Sequence, residues 1–102
     1  MQKKLGILVA SRDNMRHVLG LAKAAKAAGK FTDIFFTGDG VHLTQHPHFR
    51  ELVGIARVGV CEASYFNRGY RGIEITGLVD KDFTTQGRNA EILEECEQYL
   101  IM

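Results

Sequence analysis

Proline occurs once in the 102 residues, at Pro47, and cysteine twice, at Cys61 and Cys96. With proline this sparse, and with no repeat and no low-complexity tract, nothing reads as a linker, so residues 1–102 are expected to form a single domain. Two cysteines without a secretory signal do not make a disulfide framework; they suggest reduced thiols in a cytoplasm. Long apolar runs are also missing. None approaches a membrane span, and the run Leu5 to Ala10 behind Lys3-Lys4 is too short for a signal peptide and ends in the charged Ser11-Arg12-Asp13. An excess of one charge sign is absent too: the formal net charge is +1. No preference for a polyanion follows, and nucleic acid is not expected as a partner.

Charge is nevertheless uneven along the chain. Lys3, Lys4, Arg12, Arg16, Lys23, Lys26 and Lys30 stand against Asp13 in the first third, and Glu91, Glu94, Glu95 and Glu97 crowd the end. Solvated helix faces account for such patterns; a docking surface is the other reading.

Strands and helices alternate from end to end. Leu5 to Ala10 is a continuous apolar run, as in a central strand covered on both faces. Ser11-Arg12-Asp13-Asn14 offers capping oxygens for a helix in which Met15, Val18, Leu19, Ala22 and Ala25 recur at helical spacing, with Gly29 closing it. His17 falls on the polar side. Ile34 to Thr37 is a second strand, ended by a tight Gly38-Asp39-Gly40 turn that frees backbone amides. This turn could cradle an anion, though it is far short of a phosphate-loop signature. Val41, His42 and Leu43 read as one helical turn. Pro47 suits the first position of another helix, with Phe49, Leu52 and Val53 inward and Gly54 at its end.

A third strand runs from Ala56 to Val60 and delivers Cys61 to the start of a short helix that Gly69 terminates. Ile73, Ile75 and Leu78-Val79 mark a fourth strand, followed by a polar Asp80-Lys81-Asp82 turn. Thr84 or Thr85 caps a last helix with Ile92, Leu93 and Cys96 inward, and Gln98 to Met102 forms a fifth strand. The pattern predicts an α/β fold: a mainly parallel five-stranded sheet with helices on both faces, a three-layer α/β/α domain. A domain this small leans on oligomer contacts for part of its core.

The candidate chemistry centres on Cys61. A thiol where a strand gives way to a helix lies at the carboxyl edge of the sheet, where ligands and reactive groups of open α/β sheets gather. Free helix amides and the positive end of the helix dipole favour the thiolate. The plainer account is a small buried hydrophobe. Glu62, an acid beside the thiol, opposes ionisation. Arg68, seven residues on and about 10 Å along a helix, is placed to orient a partner sooner than to tune the thiol. His42, His46 and His48 cluster, but Pro47 breaks their spacing and no carboxylate or thiol completes a set, so no metal and no cofactor is expected. Asp39 reads as a helix cap or an acid.

Two blocks carry a family resemblance. Val60-Cys61, Ser64 and Arg68-Gly69 resemble the cysteine motif of the DsrE/DsrF family, which includes sulfur-relay proteins. Phe35-Phe36-Thr37-Gly38-Asp39-Gly40-Val41 resembles that family's strand-2 ending. The blocks stand in the family's order, and the resemblance covers nearly the whole chain. It implies a sulfur carrier or sulfurtransferase subunit. Cys61 would take up sulfane sulfur as a persulfide from a donor protein and hand it to an acceptor protein's thiol. It also implies a homo-oligomer, trimer or hexamer, or a hetero-oligomer with related subunits.

The reading from another class is a non-catalytic oligomeric module that binds a partner or small anion at the strand ends. There Ser11, Arg12 and Asp39 carry the site and Cys61 merely lines it; the candidate binding residues taken together are Ser11, Arg12, Asp39, Gly40, Ser64 and Arg68. A thiol peroxidase would want a resolving cysteine, and Cys96, expected at the opposite edge of the sheet, is badly placed for one.

Overall fold

The computed structural model describes residues 4–96 and 98–102; Lys3 and Glu97, counted above in the charge clusters, lie outside them. Five parallel strands form one sheet in the order β4-β3-β2-β1-β5, with β1 at Lys4–Val9, β2 at Phe31–Phe36, β3 at Arg57–Cys61, β4 at Phe83–Thr84 and β5 at Gln98–Ile101. The helices are α1 (Met15–Ala27), α2 (Arg50–Val53), α3 (Glu62–Asn67) and α4 (Gln86–Glu95), with 3-10 segments at Gly38–Gln45 and Asp80–Asp82.

Chain direction explains the layers. From β1 to β4 each step moves the same way across the sheet, so right-handed crossovers keep the intervening helices on one face. The last crossover carries the chain back past β1 to β5, and α4 therefore lies on the opposite face. Side-chain alternation agrees. Leu5, Ile7, Val9, Ile34, Phe36, Val58 and Val60 form one core with Met15, Val18, Ala22 and Leu52. Phe35 and Cys61 point the other way and pack with Ile92 of α4. Each fully buried aliphatic side chain here stabilises the fold by about 1.5–3 kcal/mol.

One acid is buried under α4. Asp33 is 4% exposed, and its carboxylate takes Arg57 Nε at 2.6 Å and Nη2 at 3.2 Å, with Arg88 Nη2 of α4 at 3.7 Å. The Asp33 hydrogen bond raises the Arg57 pKa above its ordinary value, against the opposing effect of burial. The pair ties β2 to β3 on the thinly covered face, and Arg88 adds α4.

The sequence expectation fails in several places. The fourth strand is not at Ile73 to Val79. Gly72 and Gly77 adopt φ of +81° and +91°, a conformation that interrupts extended chain, and the segment closes into turns through Ile73 N to Tyr70 O and Leu78 N to Ile75 O. The two residues Phe83–Thr84 pair with Val60 and Cys61 instead. Leu93 is 54% exposed, so of the expected inner face of α4 only Ile92 is buried and Cys96 half-buried. Pro47 lies in a turn, and the helix begins at Arg50. The turn expected at Val41 to Leu43 is part of a longer 3-10 helix, Gly38–Gln45. Gly69, at φ +88°, does end α3, and Thr85 is the cap of α4, its Oγ1 accepting the Gly87 amide.

Candidate functional site

β3 ends at Cys61, which is also the residue that caps the amino end of α3. Beside it β2 ends at Phe36 and passes through Thr37 into Gly38-Asp39-Gly40. Parallel pairing in register, with Phe36 opposite Val60, brings the two strand exits side by side. Residues more than twenty positions apart therefore share one edge.

The thiol is more enclosed than the sequence suggests: Cys61 is 6% exposed. Strand alternation turns its side chain toward α4, against Phe35 and Ile92. Burial by itself raises the pKa. Hydrogen bonds from the side chain and amide of Ser64, from the Thr37 hydroxyl and from the Ala63 amide outweigh it, and the net displacement is below the ordinary value of 9.0. Six-residue α3 contributes through these individual donors. Cys96 behaves oppositely. Burial and the negative charge of Asp33 push its thiol up.

Ser64 is the hub of the local network. Its Oγ accepts the Gly38 amide at 3.0 Å and lies 3.5 Å from Thr37 Oγ1. Its carbonyl accepts Arg68 Nη1 at 3.3 Å, and Arg68 Nε donates to Asp39 Oδ1 at 3.0 Å. Arg68, as hydrogen-bond donor and as charge, is the main cause of the lowered Asp39 pKa, with smaller help from His42 and Arg12. Asp39 thus pairs with Arg68 across the site, and Cys61, Ser64, Asp39 and Arg68 form one connected edge.

The other predicted residues differ. Gly40 is a packing residue: a Cβ there would overlap the Val9 carbonyl. Its amide donates to Thr37 O, so it closes the turn. Ser11 Oγ accepts the Asp13 amide at 3.3 Å and serves its own loop. Arg12 is exposed and reaches the site through its charge on Asp39. Thr37 is the residue that sequence reasoning missed as a thiol partner; a hydroxyl directly before Gly-Asp-Gly was the available signal. His42 and Tyr70 also adjoin this edge, with His42 Nδ1 2.7 Å from Tyr70 Oη and His42 Nε2 4.0 Å from Asp39 Oδ1.

His46 and His48 sit apart from His42, against Glu51 and α1. Among the described residues no group of three or more His, Cys, Asp or Glu side chains is arranged to hold a metal ion. No helix of the described residues is long and apolar enough to cross a membrane. A cavity of about 760 Å³ runs beside α3, lined by Glu62, Tyr65, Phe66, Ile73 and Val79 among others, but Cys61 does not line it. The Cys61 network at the strand exits is therefore distinct from this hollow.

No protein-family model matches this chain, and no curated protein sequence matches it.

Proposed function

We propose that the chain is a sulfur carrier or sulfurtransferase subunit of the DsrE/DsrF-like kind, with Cys61 as the residue that holds the sulfur. The observation that carries this reading is the contrast between the two thiols. Ser64, Thr37 and Ala63 lower the Cys61 pKa despite its burial, whereas burial and Asp33 raise that of Cys96. The nucleophilic form of cysteine is the thiolate, and only one of the two sites favours it.

The step needs no cofactor and no net oxidant. The Cys61 thiolate attacks the outer sulfur of a donor persulfide. A sulfur–sulfur bond forms to Cys61, the donor's sulfur–sulfur bond breaks, and the donor leaves as a thiolate. An acceptor thiolate then attacks the outer sulfur on Cys61 and Cys61 departs as thiolate. Ser64 and Thr37 favour the anion at both ends of this exchange. Arg68 and Asp39 line the approach, where a donor or acceptor protein would meet the edge. Assembly with further copies, as a trimer or hexamer, or with related subunits belongs to the same proposal.

Intact mass spectrometry after incubation with a persulfide donor tests it. Wild type and Cys96→Ser gain one sulfur atom, and Cys61→Ser gains none. Loading of Cys61→Ser sinks the assignment.

One observation favours the second reading, a binding module without sulfur chemistry. Cys61 is packed against Phe35 and Ile92 like a small core residue. In that case Cys61 resists alkylation in the folded chain, and the Asp39–Arg68 edge binds its partner equally well in Cys61→Ser.

A further inference from the structure

At the opposite edge of the sheet, the amino ends of three strands surround a second cavity of about 580 Å³. Lys4 opens β1, Phe31 opens β2 and Arg57 opens β3, while Lys26 comes from the last turn of α1 and Lys30 from the loop that follows it. Four cations thus face one lining acid, Asp33, in a chain whose net charge is +1. Helix-end electrostatics accounts for Lys26, since a cation near a helix carboxyl terminus is favourable by itself. It does not account for Lys4, Lys30 and Arg57, which lie outside any helix.

Part of the charge is answered within the chain. Asp33 holds Arg57, and Glu95 Oε2 lies 3.2 Å from Lys4 Nζ and 3.6 Å from Arg57 Nη2. The remainder is unanswered. Lys30 Nζ donates to the neutral Gln98 Oε1 at 3.2 Å, and Lys26 finds no ionic partner among the described residues. Thr32 supplies an independent sign. It lines the cavity, is 3% exposed, and its Oγ1 is buried with no hydrogen-bond partner among the described residues. An unmade buried hydrogen bond costs about 1–3 kcal/mol. A guest rich in acceptor oxygens, or water held beneath it, offsets that cost. Phe31, 54% exposed on the rim, offers a flat apolar surface beside the cations.

We infer that this cavity binds a phosphate-bearing small molecule, with Lys26 and Lys30 on the anion and Phe31 against an aromatic part of the ligand. The site is separate from the Cys61 edge and independent of the sulfur reading. Several ammonium groups on one multiply charged oxyanion are the general means of holding phosphate. An aromatic ring beside them suits a nucleotide better than a bare ion.

The test is calorimetric titration of the full chain at low salt with two probes, inorganic pyrophosphate and ADP. Both are expected to bind saturably, ADP more tightly. Lys26→Ala/Lys30→Ala weakens both by about tenfold or more, while Arg50→Ala/Lys81→Ala, which removes the same charge elsewhere, changes little. Phe31→Ala brings ADP down to pyrophosphate. Circular dichroism on each variant separates loss of binding from loss of fold. Absence of saturable binding by wild type overturns the proposal. So does an equal loss in the two double variants, which would reduce the effect to net charge. Equal affinity for the two probes in wild type overturns the place given to Phe31.

Discussion

Ser64 Oγ accepts the backbone amide of Gly38 at 3.0 Å, across 26 positions of sequence. That bond joins the exit of β2 to the first turns of α3. It also holds Ser64 where its hydroxyl and amide serve the Cys61 thiol. A hydroxyl at position 64 therefore acts on structure and on ionisation together.

Ser64→Ala is expected to raise the Cys61 pKa and to cost about 1 kcal/mol of stability, the usual net worth of one hydrogen bond. The pH dependence of alkylation at Cys61 shows the first effect as a profile moved toward alkaline pH. Urea unfolding shows the second. An unchanged alkylation profile would remove Ser64 from the thiol's environment.

The two thiols make opposite contributions to stability as pH changes. Cys61 has a folded pKa below its ordinary 9.0, so its contribution is complete above that value and disappears as pH falls through the lowered one. Cys96 has a folded pKa above 9.0. Its contribution is present below 9.0 and disappears as pH rises through the raised value. In Cys61→Ser only the Cys96 effect remains, and stability should fall more steeply toward alkaline pH than in wild type. In Cys96→Ser it should rise. Urea midpoints collected over about pH 7 to 10 decide the signs.

Arg68→Ala should return the Asp39 carboxyl toward its ordinary value, because Arg68 is the main cause of its displacement. An NMR titration of the Asp39 side chain reads this directly. Global stability should hardly move, since the Arg68–Asp39 pair is solvated and such pairs contribute little. A titration curve identical to wild type would show that the pair does not persist in solution.

Among the described side chains of α4, Ile92 is the one fully buried on its face of the sheet, and Ile92→Ala removes it. The expected loss is about 2–5 kcal/mol, measured by chemical denaturation. Because Ile92 packs with Cys61 and Phe35, alkylation of Cys61 should accelerate in the same variant. Destabilisation without faster alkylation would mean that α4 does not shield the thiol.

Gly40→Ala places a methyl group on the Val9 carbonyl. Backbone cannot yield as a side-chain tip does, so the turn after β2 must move, at a cost of about 1–3 kcal/mol or more. A thermal melt equal to wild type would contradict the close approach of the Gly38–Gln45 segment to β1.

The sequence alone was enough for the layer architecture, because its causes are local. The apolar run at Leu5 to Ala10, the helical spacing from Met15 to Ala25 and the strand leading into Cys61 each bury a face that requires a sheet with helices. It also marked Cys61 and Asp39 as candidates, since strand exits recur at fixed places in an alternating chain, while Ser64 and Arg68 were marked by the resemblance to a family motif. The fourth strand was not legible. Ile73, Ile75 and Leu78 have strand-like composition, but Gly72 and Gly77 in left-handed backbone break the extension, and pairing with β3 falls to Phe83 and Thr84. The tertiary structure alone decided which way Cys61 faces. Side-chain alternation along β3, together with the return of α4 across the opposite face, puts the thiol against Ile92. Register between β2 and β3 then puts Thr37 and Ser64 within reach of it. The convergence of Lys4, Lys26, Lys30 and Arg57 on one cavity is of the same kind. Parallel strands bring residues distant in sequence to a common edge, and only the pairing order says which ones meet.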